Sequence, residues 1–541
     1  MLQGTPILVL KEGTERERGK GAASNNIAAA RAIADAVRST LGPRGMDKML
    51  VDSMGDITIT NDGVTILKEV DVEHPAAKML VEVAKTQDQQ CGDGTTTAVV
   101  LAGELLKRAE GLLEQNIHPT VITRGFQIAV HEGQRLLDAE IGTKVTPTDD
   151  KILLDCAGTA MGSKGVFGSR AHLAEIAVQA VRRISETRGT RAVADVDQIK
   201  VEKRHGGQID DTQLIEGIVL DKERGHPRMP RVVKEARIAL LNSALEVKKT
   251  EIEGKINIKS ANQIQGFLDE EDRNFRKMVE AVKATGANVV VCQKGIDDVV
   301  LHYLAKEGIF AVKQVKESDM QKLARATGAK VVTGVKELSA SDLGHANQVE
   351  EKKVGEEDMT FITGAKNPRS VSILIRGGTE HVTQEVERSL HDALKVVSSV
   401  IEDGVVCPGG GATEIDLAVK LRRFAPTVGG REQLAVEAFA QALEVVPWAL
   451  AENGGFDSIN TLIALRGAHD GPNANRNVGV NMTDGKATDM WAQHVVEPVR
   501  VKRQALSSAA EVANMVLRID DVIASKKSAP PSPGGPGGHD H

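Results

Sequence analysis

The sequence predicts a multidomain protein of α and α/β class, helical towards both ends and α/β in the middle. Three observations carry this. The chain has 541 residues, more than one hydrophobic core accommodates, and about three domains are expected. Helical segments dominate before about residue 140 and after about residue 379. Between 286 and 333 the pattern becomes strand, helix, strand, helix, strand, the grammar of a small parallel sheet. If the two helical ends make one domain, the middle is a long insertion in it.

Composition narrows the class. Hydrophobic residues are 41% and charged residues 26%, ordinary for a globular chain. Aromatics are only 2%, so the cores must be aliphatic. The net charge of −7 argues against a general nucleic-acid binder. Four cysteines, Cys91, Cys156, Cys292 and Cys407, lie far apart with no CxxC. A disulfide framework or a zinc site is not expected, and a reducing compartment fits. The start, MLQGTPILVLKEGTERERGK, lacks the order of a signal peptide. No run is read as approaching the roughly 18 apolar residues of a membrane helix. A cytoplasmic protein with neither nucleic-acid nor membrane partners is expected.

In chain order, SNNIAAARAIADAVRST (24–40) reads as an Ala-rich helix with Ser24 as N-cap. LGPRG (41–45) stops it through Gly42 and Pro43. Residues 57–60 and 64–67 alternate around Asn61-Asp62-Gly63 and predict a hairpin. Helices follow at about 75–88, 95–115 and 120–140, with QQCGDG between the first two. Residues 244–280 mix charge with scattered Ile, Leu and Phe. A long charged helix with an exposed tip fits, and so does an ordinary solvated helix. ANVVVCQ, IFAVKQV and AKVVTGV are the strands of the α/β region, with DDVVLHYLAKEG and DMQKLARATG as helices between them. VSILI (371–375) leads through Arg-Gly-Gly into a helix at 379–401. A Gly-rich loop, PGGGATE (408–414), opens another, and helices continue to about 522. The Pro/Gly/Ser-rich tail from 526 should be disordered.

The chemistry centres on QCGDGTTTAVV (90–100). A helix beginning at Thr95 leaves its first amides unpaired, and these with the helix dipole favour an anion. Gly92 and Gly94 permit close approach and positive φ. Asp93 repels phosphate unless Mg²⁺ bridges the two. The threonine hydroxyls add neutral donors. The competing reading is an N-cap aspartate with threonines in the first turn. No Walker A loop occurs. LGPRGMDK, NDGVT, MGSKG and PGGGATE are further polar loops, each weak alone. Lys164 could pair a phosphate or be a surface lysine. Asp392, inside the apolar helix LHDALKVV, either caps something or works at a site.

LGPRGMDKML, ITNDGVTIL, GDGTTTAVVLAGELL, HDAL and GVVCPGGGATEI, in this order and spacing, resemble a chaperonin. LDKERGHPRMP (220–230) points to group II, similar to archaeal thermosome and eukaryotic cytosolic chaperonin subunits. The resemblance reaches to about residue 525. It implies a mainly helical equatorial ATPase domain split between both termini (1–148 and 405–525). It further implies a small intermediate hinge domain (149–217 and 371–404) and an α/β apical domain (218–370) that binds unfolded clients. The apical domain would carry a helical lid protrusion at about 244–280. Identical or paralogous subunits would form two stacked rings of eight or nine, and ATP, ADP and Mg²⁺ would be the ligands.

Roles carry over by motif. Thr40, Leu41, Gly42 and Pro43 would contact nucleotide, Asp93 would hold Mg²⁺, and Gly94 with Thr95, Thr96 and Thr97 would bind phosphates. Asp62 and Asp392 would orient or deprotonate the attacking water. Asn61 and Ser163 join the binding set, and Lys164 would sense the γ-phosphate. Gly410 and Gly411 would approach the ribose, Glu497 would accept its hydroxyls, and Asn481 would lie near adenine. Such a site suits hydrolysis, because phosphoryl transfer needs positioning and charge neutralisation above all. The sequence departs from the family at Gln89, Gln90 and Cys91. Buried, Cys91 is a small hydrophobe; exposed at a helix terminus, it is an oxidisable thiol. Two other functions compete: a ring scaffold that has lost hydrolysis, and a phosphotransferase. Intact Asp62, Asp93 and Asp392 argue against the first, and no acceptor pocket is evident for the second.

Overall fold

The computed structural model describes residues 15–164, 167–189, 191–246, 261–365 and 370–524. It is helix-rich with several sheets. Its buried aliphatic side chains gather around distinct centres, as the scarcity of aromatics requires.

The first core joins residues 27–141 to residues 407–517. Helices Lys20–Arg38, Pro75–Cys91, Thr95–Glu114 and Pro119–Leu136 pack with Ala412–Val428, Glu432–Leu443 and Val499–Leu517. Small residues let these helices approach closely. A Cβ at Gly103 would sit 2.3 Å from that of Ala34. Phe126 and Phe439 meet edge to face at 5.7 Å. Strand Glu15–Arg18 pairs antiparallel with Asp521–Ala524, so the two ends of the described chain are adjacent. One stretch, Glu432–Asn453, is long and apolar enough by length and composition to cross a membrane, and 78% of that window is buried inside the protein. This corrects the reading that no stretch qualifies. Its apolar residues are interrupted by Glu and Gln, so no unbroken run marks it.

A second core gathers residues 152–199 and 371–406 with Val496. It contains helices Asp150–Ala160, Arg170–Ile184 and Glu380–Asp403. A small sheet lies beside them, with Ser372–Gly377 between Lys200–His205 and Gln213–Ile215.

Residues 217–365 build a seven-stranded sheet. The expected strand-helix alternation is present as Val289–Cys292, Asp298–Lys306, Phe310–Val312, Glu317–Thr327 and Val331–Val332. Its strands run parallel to one another or to Val232–Leu241. Gly344–Val354, Glu357–Ala365 and Gly217–Leu220 extend the sheet antiparallel, so it is mixed rather than parallel. GHANQVEEKKV hides its strand because alternate positions face solvent and carry charge. Within 244–280, helix Ala261–Ala284 is charged, with Phe275, Val279 and Val282 in the core. Residues 247–260 and the tail from 526 lie outside the described residues.

Two local expectations fail. The first helix starts at Lys20, with Gly19 at φ 64° as N-cap, so Ser24 lies inside it. The expected hairpin around Asn61-Asp62-Gly63 is absent. Ile57–Thr60 pairs instead with Lys48–Val51, and residues 63–69 form a helix. An Asn-Asp-Gly turn and an aspartate N-cap share the same letters. Here burial of Val64, Ile66 and Leu67 selects the helix.

Candidate active site

The loops LGPRG, GDGTTT, MGSKG and PGGGATE converge on one cleft of about 330 Å³, whose lining does not include Asp62, Lys164 or Asp392. Leu41, Gly42 and Pro43 follow the first helix onto one wall. Asp93, Gly94 and Thr97 form the floor with Ser163, and Gly410, Gly411 and Glu497 lie on the far side. Val446, Leu450, Val480, Met490 and Val495 give the cleft its apolar lining, and Asn481 also lines it.

Glycine is required along this wall. Gly94 is the N-cap of helix Thr95–Glu114 in the left-handed conformation, and no side chain caps that helix. A Cβ at Gly94 would lie 2.7 Å from Val501 Cγ1. At Gly411, with φ 77°, it would lie 2.8 Å from Pro447 Cβ. The first-turn amides of the Thr95 helix are thus presented by a bare main-chain turn. Asp93 is not the cap: its Oδ1 accepts from the adjacent Gly94 amide at 2.6 Å. The loop is held from below by Gln87, whose buried Nε2 donates to Asp93 O at 2.9 Å and Val501 O at 3.2 Å.

Behind this wall lies an ion cluster. Lys164 Nζ meets Asp392 Oδ2 at 2.5 Å, and both side chains are buried. Asp62 caps its helix through Oδ2, which accepts from Thr65 N at 3.0 Å and Thr65 Oγ1 at 2.7 Å. Its Oδ1 accepts from Thr95 Oγ1 at 3.4 Å. Thr95 and Thr96 are buried, so Thr97 alone of the three lines the cleft. Thr40 turns its hydroxyl to Val37 O at 2.8 Å. Asn61 Nδ2 donates to Ser163 O, tying the loop of Asp62 to that of Lys164.

The carboxyls titrate differently because their surroundings differ. Burial pushes Asp93 up to about 6, with the nearby Asp392 adding to the rise. Burial also raises Asp392, against the pull of Lys164. For Asp62, burial is outweighed by Lys164, the Thr65 hydrogen bonds and Arg388, so its carboxyl falls below the ordinary range. Lys164 is held protonated: burial opposes its charge, and Asp392 and Asp62 more than restore it.

Residues 33–527 match the TCP-1/cpn60 chaperonin family. The chain belongs to this family. It is 60% identical over 527 residues to the thermosome subunit alpha of Thermoplasma acidophilum, covering 97% of this chain and 96% of the relative. A thermosome subunit of Pyrococcus abyssi is 55% identical over 539 residues, covering 99% of this chain and 97% of the relative. The thermosome subunit beta of Archaeoglobus fulgidus is 57% identical over 525 residues, with 97% and 96% covered. The chain is an ATP-dependent ring chaperonin that assists protein folding, and it is an ATPase.

Two residues of this chaperonin's site escape sequence reasoning. Gln87 follows Leu80, Val83 and Ala84 on a buried helix face, and a polar letter on that stripe was its signal. Lys502 sits on the buried face of helix Val499–Leu517 and lines the cleft. Its Nζ reaches Glu497 Oε2 at 2.7 Å and Glu414 Oε1 at 2.9 Å. A lysine in step with Ala505, Leu506 and Ala509 marked it. Cys91 is fully buried, with its thiol pushed up to about 12 mainly by burial, and is the small hydrophobe of the two readings.

Proposed function

We propose that the cleft binds ATP and that Asp62, Lys164 and Asp392 carry its hydrolysis. The observation supporting this is the placement of Lys164 between two carboxylates directly behind an uncapped helix N-terminus. The amides of Gly94 and the first turn of the Thr95 helix, with Thr97, take the phosphates. The apolar lining, with Asn481, accommodates the base, and Glu497, braced by Lys502, takes the ribose hydroxyls beside Gly410 and Gly411. Asp392 is the general base for the attacking water and Asp62 orients that water. Lys164 senses the γ-phosphate while keeping its pairing with Asp392 Oδ2, which leaves Oδ1 to accept the proton. Ser163 and Asn61 keep these two loops in register.

The donor set fits Mg²⁺. Asp93 is a hard oxygen ligand whose carboxylate is disfavoured by burial and by Asp392, and a cation beside it relieves both. When bound, Mg²⁺ neutralises phosphate charge and polarises the γ-phosphoryl group.

The subunit's other parts follow the two helical cores and the seven-stranded sheet. Residues 1–148 and 405–525 form the equatorial ATPase domain, 149–217 and 371–404 the intermediate hinge, and 218–370 the apical domain. The Ala261–Ala284 helix belongs to a lid protrusion over about 244–280. Identical or paralogous subunits stack as two rings of eight or nine in the cytoplasm and enclose unfolded clients through apolar contacts.

The test is ATP hydrolysis without an added acceptor, together with refolding of a denatured client. Asp62→Ala and Asp392→Ala should each abolish turnover. Unchanged turnover in either would overturn that residue's assignment. Negative-stain images of the purified protein give the ring size.

A further inference from the structure

Asp392, as general base, must discard a proton in every cycle, and its surroundings restrict where the proton can go. The carboxyl is buried, with Oδ2 closed off by Lys164 at 2.5 Å. Lys164 is itself protonated and buried, so it cannot accept. The other oxygen, Oδ1, faces His391 Nδ1 at 3.7 Å. His391 is the preceding residue on the same helix, and its side chain is 47% exposed against 10% for Asp392. One end of the imidazole therefore touches the buried carboxyl while the ring reaches water.

We propose that His391 is the proton exit of the hydrolytic site, relaying to solvent the proton that Asp392 takes from the attacking water. This rests on the reading of Asp392 as base. The step balances simply. The water O–H bond breaks, its oxygen bonds to the γ-phosphorus as the bond from that phosphorus to the bridging oxygen breaks and ADP leaves, and its proton forms O–H on Asp392. That O–H then breaks as N–H forms at Nδ1, giving imidazolium. The imidazolium returns a proton to bulk water from Nε2, and proton exchange with water, off Nδ1 and onto Nε2, restores the starting tautomer. The 3.7 Å separation is longer than a hydrogen bond, and such contacts tighten when substrate is bound. His391 is a positioning and relay residue, since it touches no substrate.

The charges around the ring suit the task. Asp392 favours its protonated form most, burial opposes it, Asp88 on helix Pro75–Cys91 adds to the rise, and Lys395 on its own helix lowers it, for a net rise. Lys68 lies 3.5 Å from Asp88 and moderates that carboxylate. Imidazole is the side chain suited to take up a proton at one ring nitrogen and release one from the other.

The experiment is single-turnover quench-flow hydrolysis by full-length assembled protein across pH 5.5–8.5 (roughly the range in which imidazole titrates). His391→Gln should slow the hydrolysis step by about 10-fold at low buffer concentration. It should flatten the pH profile and leave nucleotide affinity unchanged, and added imidazole should restore most of the rate. A wild-type rate and pH profile in His391→Gln would overturn the relay, as would a loss that imidazole does not repair. Asp392→Asn separates the two ideas. If it hydrolyses at the wild-type rate, the base assignment itself fails. If it is inactive while His391→Gln is normal, the relay alone fails.

Discussion

Along the cleft wall, Gly42, Gly94, Gly410 and Gly411 bring bare main chain to the surface, all at positive φ. Directly behind it, Asp62, Lys164 and Asp392 bring charge into the interior. In the proposed function the wall would recognise nucleotide with amides whose partial charges are fixed by the backbone, so binding would require no titration. The cluster stores full charges that are tolerable only in company, because burying one alone costs several kcal/mol. The difference separates two jobs. Changes in the wall should alter affinity, while changes in the cluster should alter turnover and stability.

The largest expected effect is on turnover. Asp392→Asn and Asp62→Asn should each lower steady-state phosphate release by about 10²–10⁴-fold, with nucleotide affinity by calorimetry nearly unchanged. Asparagine at 62 keeps the N-cap hydrogen bonds, so a loss there reports chemistry. A matching loss of affinity would erase the distinction between wall and cluster. Next is Lys164→Met, which strands Asp392 and should cost about 3–5 kcal/mol, read as a fall in apparent Tm. Adding Asp392→Leu should recover much of that loss, and additive losses would show the pair is not coupled.

In the wall, Gly411→Ala meets both positive φ and Pro447. A strain of about 1–3 kcal/mol should weaken nucleotide binding about 10-fold or more, with turnover at saturation retained. Between wall and cluster stands Asp93, whose folded carboxyl titrates at about 6 rather than at its ordinary 3.8. Above pH 6 it is ionised and desolvated, which costs stability. As pH falls from 6 to about 4, the folded state takes up a proton that the unfolded state does not, and the cost disappears. Asp93→Asn, without nucleotide or divalent ions, should therefore have the higher apparent Tm at pH 7. That advantage should vanish near pH 4; a constant gap would contradict the shift. The smallest effect belongs to Cys91. Cys91→Ala should keep full turnover, and the native thiol should resist alkylation at neutral pH, since rapid labelling requires exposure and a low pKa.

Much of this was legible in the letters. Gly-Asp-Gly before Thr-Thr-Thr announced a helix start with room for an anion, because glycine's conformational freedom and the helix dipole are local properties. The strand-helix alternation from 286 to 333 was readable because buried parallel strands are continuous apolar runs. The antiparallel strands Gly344–Val354 and Glu357–Ala365 were not, since their exposed faces dilute the pattern. Gln87 and Lys502 looked like ordinary polar letters until burial made them conspicuous.

The sequence by itself determined which residues could do chemistry, and where helices and buried strands run, because those depend on neighbours a few positions away. The tertiary structure decided whether Asn61-Asp62-Gly63 turned a hairpin or capped a helix. It brought Lys164 onto Asp392, 228 residues away, and made Cys91 inert by burying it. Each of these depends on what the rest of the chain packs against that residue, and long-range packing sets both burial and charge pairing.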